Sequence, residues 1–106
     1  MTKGEILQLV EQESSRNDPF QNYHGITSSN IRSFLVDPYL VTVDPDDLET
    51  GPREMWVILK APNPGSGYVV VYDPQDQFWG VAESSDSNRH VLVVGGDTFA
   101  EALDGM

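Results

Sequence analysis

The chain has 106 residues, no cysteine, and six Lys and Arg against seventeen Asp and Glu, a formal charge of −11. That length suits one domain, which buries about two thirds of its unfolded surface without a metal or disulfide, and 39% hydrophobic with 22% charged residues is the composition of a folded protein. The excess acid speaks against direct nucleic-acid binding and against anionic membrane surfaces, because both need a basic face.

The first segment reads as a helix. Thr2 and Glu5 have capping-box spacing, and Ile6, Leu7, Leu9 and Val10 form an apolar stripe that Asn17-Asp18-Pro19 ends. Residues 20–26 read as loop. Ser28 or Ser29 then caps a second short helix with Ile31, Phe34 and Leu35 on one face, ended by Asp37-Pro38.

From Tyr39 the periodicity changes to two. Tyr39–Val43, Met55–Lys60, Tyr68–Tyr72, Phe78–Glu83 and Val91–Val94 read as five strands. Between the second and third, Pro62 to Gly67 reads as a hairpin turn. Asp73-Pro74-Gln75-Asp76 fits a type I turn. Gly95-Gly96 breaks the last strand, Asp97 or Thr98 caps, and Phe99, Ala102 and Leu103 mark a short terminal helix. The connections between strands are too short for parallel crossovers. The expected fold is therefore α+β: a single domain, 1–106, with an antiparallel meander of about five strands, N-terminal helices and a short C-terminal helix on one face.

Several motifs invite chemistry and none of them completes it. Gly95-Gly96-Asp97-Thr98-Phe99 differs at one position from the diguanylate cyclase signature, but Ala100 to Leu103 is helical and no second strand of a hairpin follows. A strand end and helix cap account for the same residues. Gly65 and Gly67 precede a strand, whereas a nucleotide-binding glycine loop opens a helix. The acidic stretch from Asp44 to Glu49 lacks the glycine and the ligand that a calcium loop needs at its sixth and fifth places, and it reads as a solvated loop. His24 and His90 have no histidine at metal-ligand spacing and sit beside loop residues, which suggests exposed side chains. No Gly-x-Ser-x-Gly elbow selects a serine, no residue stands out as catalytic, and no cofactor is implied.

The charge is dispersed. Residues 1–53 hold four basic and nine acidic side chains, residues 54–106 two and eight. Such a distribution surrounds the fold with a negative field that favours a basic protein partner. Aromatic residues crowd three consecutive strands: Trp56, Tyr68, Tyr72, Phe78 and Trp79. Tyr68, Val70 and Tyr72 share one face, Val69 and Val71 the other. If the valines face the helices, the tyrosines line an open face. Tyr68, Tyr72 and Trp79, with Asp46 and Asp47 from the acidic loop, are then the candidate partner-binding residues, and a homodimer is another way to bury that face. The competing reading is a small enzyme or metabolite-binding domain with carboxylates in a cleft.

Four stretches carry a resemblance: Met55 to Leu59, Gly67 to Asp73, Phe78 to Ala82, and Thr98 to Met106. In layout they resemble a loose group of small uncharacterised bacterial proteins, among them the stand-alone immunity proteins that accompany toxins. The resemblance covers the C-terminal half and implies a protein-binding inhibitor; it transfers no catalytic or binding residue. No apolar h-region opens the chain and no run is long enough to span a bilayer, so a cytoplasmic location is the expectation.

Overall fold

A computed structural model of the chain describes residues 2–14, 31–44, 51–60, 67–86 and 89–104, with backbone only at 85, 86 and 89. Their order is helix α1 (Lys3–Ser14), a single 3-10 turn (Ile31–Ser33), strands β1 (Leu35–Asp44), β2 (Arg53–Lys60), β3 (Tyr68–Asp73), β4 (Phe78–Asp86) and β5 (Arg89–Gly96), and helix α2 (Phe99–Asp104). This is an α+β fold with the expected five-strand meander. The meander closes on itself: β1 also pairs with β5, in parallel, through Thr42–Arg89, Val43–His90 and Asp44–Val91. An odd-numbered meander that closes must bring its first and last strands together in the same direction. Among the described residues no helix is long and apolar enough to cross a membrane.

Both helix starts follow from local chemistry. The Thr2 hydroxyl accepts from the Glu5 amide at 3.3 Å, and the Glu5 carboxylate accepts from the Thr2 amide at 3.0 Å. These bonds hold the Glu5 carboxyl below its usual range, the backbone bond at Thr2 first. At α2 the Thr98 hydroxyl accepts from the Glu101 amide at 3.1 Å while the Glu101 carboxylate takes the Asp97 amide at 2.8 Å. Thr98 is thus the cap, and the cyclase-like motif is a strand end followed by a helix start.

The second helix is a correction. Ser28 and Ser29, like the Asn17-Asp18-Pro19 stop, lie outside the described residues, and Ile31 to Ser33 form only one 3-10 turn. The Phe34 carbonyl then accepts from the Lys60 amide at 3.2 Å, and Leu35 pairs with Leu59, drawing the chain into β1. Pro38, placed as a helix terminator, lies inside β1 where the register with β2 shifts between Leu35 and Tyr39. A bulge is where a strand tolerates proline, because no ladder donor is needed there.

Two packed groups divide the core. Val41, Val43, Met55, Val57, Val69, Val71 and Ala82 fill the barrel, with Val36 and Leu92 at its margins. Side chains alone fill so small a barrel. On its outside, Ile58, Leu59, Val70, Tyr72, Trp79 and Val81 lie beneath Ile6 and Val10 of α1 and Phe99, Ala102 and Leu103 of α2. A register shift between Val57 and Leu59 turns both Ile58 and Leu59 toward the helices.

The turn between β3 and β4 lies one residue later than Asp73–Asp76, from Pro74 to Gln77, with Gln77 in the left-handed region at φ 52°. Phe78 follows, and its ring occupies the space beside Gly95. A Cβ on Gly95 would come within 1.9 Å of the Phe78 ring. Gly95 and Gly96 therefore do not break β5: Gly95 pairs with Gly80 and Gly96 with Trp79. Their lack of side chains admits the Phe78 ring on one and Glu101 of α2 on the other.

Candidate functional site

The open aromatic face is not what the barrel presents. It is the tyrosine side of β3 that lies under the helices, and the valine side that fills the barrel. Tyr72 is 4% and Trp79 2% exposed. Their rings stand 4.5 Å apart at 51°, and Trp79 stacks on Phe99 of α2 at 5.1 Å and 8°. Such rings contribute both area and ring geometry to a core. Burial, then Asp73 and Glu13, push the Tyr72 hydroxyl up. Tyr68 is partly buried against the same group. Asp46 and Asp47 lie outside the described residues.

One buried carboxylate stands out. Asp73, at the end of β3, accepts from the Arg53 guanidinium through Oδ2 at 2.7 Å and from the Gln75 amide through Oδ1 at 2.9 Å. Arg53 also pairs with Asp76, and Asp76 and then Asp73 raise its pKa further above its ordinary range. This cluster ties the start of β2 to the β3–β4 turn. Each Asp73 oxygen accepts one of these bonds, and the side chain is buried where it joins strand to turn. Among the described residues no three His, Asp or Glu side chains are grouped to hold a metal ion.

His90 departs from the exposed position expected of it. It points into the barrel from β5, beside Val43 and opposite Ser84, and is 6% exposed. Its Nδ1 is buried with no hydrogen-bond partner. Burial, then the charge of Lys60, hold its pKa below the ordinary imidazole value of 6.5. The first strand residue after a loop looks exposed in sequence, but the ladder with β1 covers it. His24 lies outside the described residues.

Four cations among the described residues have partners within the chain. Lys3 pairs with Asp37 at 2.6 Å and Arg32 with Glu11 at 2.7 Å, while Arg53 holds Asp73 and Asp76. Lys60 lies over the Tyr39 ring, 5.6 Å from its centroid.

Part of the outward surface near the β5–β1 seam stays open. Val91 and Val93 are exposed there, with Glu83 exposed across the ladder from Val91; Leu40, also exposed, pairs instead with Trp56 of the helix-covered group. Sequence reasoning missed this face because isolated aliphatics in a strand look like core. Comparison with protein-family models, curated proteins and solved structures gives no match.

Proposed function

We propose that this chain is a non-enzymatic protein-binding domain for a basic partner, of the kind that immunity-type inhibitors represent. The observation that supports it is the distribution of charge. A formal −11 is spread over both halves, and Lys3, Arg32 and Arg53 are each already paired with a carboxylate of the same chain. The remaining acids surround the fold with a field that steers a cationic protein and speeds its encounter. The competing reading, a small enzyme or metabolite-binding domain, would draw on carboxylates in a cleft; the buried one, Asp73, accepts from Arg53 and from the Gln75 amide.

The test is capture of protein partners from the source cells on the immobilised full chain, followed by titration of the captured protein at rising salt. Raising salt from about 50 to about 300 mM shortens the screening length severalfold in area terms and is expected to weaken binding tenfold or more. Salt-independent binding, or no captured protein, overturns the reading.

A further inference from the structure

Closure of the barrel rests on the three rungs of the β1–β5 seam, and β1 ends at the last of them, Asp44 with Val91. In that parallel register Leu35 to Val41 precede the start of β5, and Leu92 to Gly96 run past the end of β1. Each stretch is paired on one side, with β2 or with β4. Its other edge meets no strand among the described residues.

The two edges differ in how they are guarded. On β1, Pro38 has no backbone donor, the register with β2 shifts between Leu35 and Tyr39, and exposed Asp37 is tied to Lys3 of α1 at 2.6 Å. Proline, a bulge and a charge are the devices that keep a strand edge from pairing. The run Leu92-Val93-Val94-Gly95-Gly96 has one register shift, at Val93, and neither proline nor charge.

The backbone of this run is open. Gly95 and Gly80 share a rung, and the surface of a glycine is all main chain. Gly80, with β3 on one side and β5 on the other, is buried, whereas Gly95 is exposed. The Phe78 ring fills the space where a Gly95 Cβ would stand. Neighbouring residues point to opposite faces, and on the opposite face α2 packs against Gly96 through Glu101 and Ala102. What is left open at Gly95 is the edge itself. Val93, which the register shift leaves without a ladder partner, is 49% exposed.

Unpaired N–H and C=O groups along an open edge are a template for an added strand. The carboxylates that flank this edge are exposed: Glu83 across from Val91, then Asp97 and Glu101 just past its end. They favour an incoming strand with Lys or Arg at its ends. A second copy fits less well. Two such edges paired antiparallel about Val94 would set Asp97 of each beside the Val91–Glu83 rung of the other, between molecules that each carry −11.

We propose that the Leu92–Gly96 edge of β5 is where a basic partner protein adds an extended segment as a further strand, apolar at its centre and framed by Lys or Arg. This rests on the protein-binding reading above and names how the partner is held. Main-chain hydrogen bonds supply the contact and the flanking charges the choice of partner.

Two synthetic peptides of equal charge test it by fluorescence anisotropy with the full chain. One is a lysine-flanked valine–threonine strand of roughly nine residues. The other is the same peptide N-methylated at two adjacent central amides, which blocks both edges of an extended chain and keeps every side chain. The wild type is expected to bind the first about tenfold tighter, and Val93→Pro should erase most of that difference. In the free chain alternate amides from Leu92 to Gly96 should exchange rapidly with deuterium, and the unmethylated peptide should slow them. Equal binding of the two peptides overturns the edge, while binding that weakens with salt keeps the wider reading. Slow exchange at every Leu92–Gly96 amide of the free chain also overturns it, whether or not Val93→Pro folds, because the edge is then already paired. A dimer in sedimentation that Val93→Pro abolishes gives the edge to a second copy and overturns the basic occupant. If neither peptide binds, the edge proposal falls, and the wider reading is decided by capture of a partner.

Discussion

The two sides of the barrel use the same strand chemistry and meet different fates. Beneath the helices the outward residues include Ile58, Leu59, Tyr72 and Trp79; around the seam they include Thr42, Asp44, Glu83, Val91 and Val93. Alternation is interrupted on both, at Ile58 and Leu59 under the helices and at Val93 on β5, so period alone does not separate a covered face from an open one. Size does better. The largest rings, whose burial contributes most, lie where two helices supply partners, and shorter aliphatics occupy the side with none.

The sharpest way to break that comparison is to truncate one residue on each side. Trp79→Ala removes a ring packed between Tyr72 and Phe99 and is expected to cost about 3–5 kcal/mol in urea unfolding. Val93→Ala, on the exposed side, should stay within about 0.5 kcal/mol. Similar costs at the two positions would mean that the helices do not cover one side more firmly than the other.

A smaller effect tests the joint between β4 and β5. Gly95→Ala puts a methyl where the Phe78 ring now lies, and forcing such a group into a filled space costs about 1–3 kcal/mol. Phe78→Ala in the same chain should absorb much of that cost, so the double variant is more stable than the sum of the singles predicts. Strict additivity in the unfolding midpoints would show that the ring is not the obstacle.

Much of this architecture is legible in the sequence wherever local chemistry decides. The Thr2–Glu5 box, the five strand segments and the α2 start form as their residue types require. The failures come where a distant partner decides. Leu35 to Pro38 carries a helix-stop signal, yet pairing of Leu35 with Leu59 makes it strand. Both sides of β3 are apolar, because one fills the barrel and the other meets the helices, so no pattern within β3 tells which side is which. Of the candidate site residues, Tyr72 and Trp79 were visible as a cluster but are buried, and the exposed Leu40, Val91 and Val93 carry no local mark of their position. Closure itself leaves no trace in sequence, since Val43 and His90 lie far apart in the chain.

The last and smallest effect concerns the seam, which three residue pairs join with His90 at the middle one. His90 is buried and pairs with Val43 and Ser84, and Lys60 is the charge that acts on it, while Asp44 and Glu83 adjoin its ladder partners in sequence. No described carboxylate hydrogen-bonds its buried Nδ1. Its folded pKa lies below the unfolded value of 6.5, so the unfolded chain takes up the proton first as pH falls. Stability is then lost from about pH 6.5 downward until the folded ring also protonates, and it is retained above that range. Between about pH 7.5 and 5.5, before most carboxylates titrate, the urea midpoint of the wild type should fall. That of His90→Leu should fall less, and His24→Gln should follow the wild type. Hydrogen exchange locates the same loss: the Val43 and Val91 amides should lose protection with acid before those of Val70 and Val81. A parallel decline in wild type and His90→Leu, with protection lost evenly around the barrel, would mean that the seam is as firm as the helix-covered side.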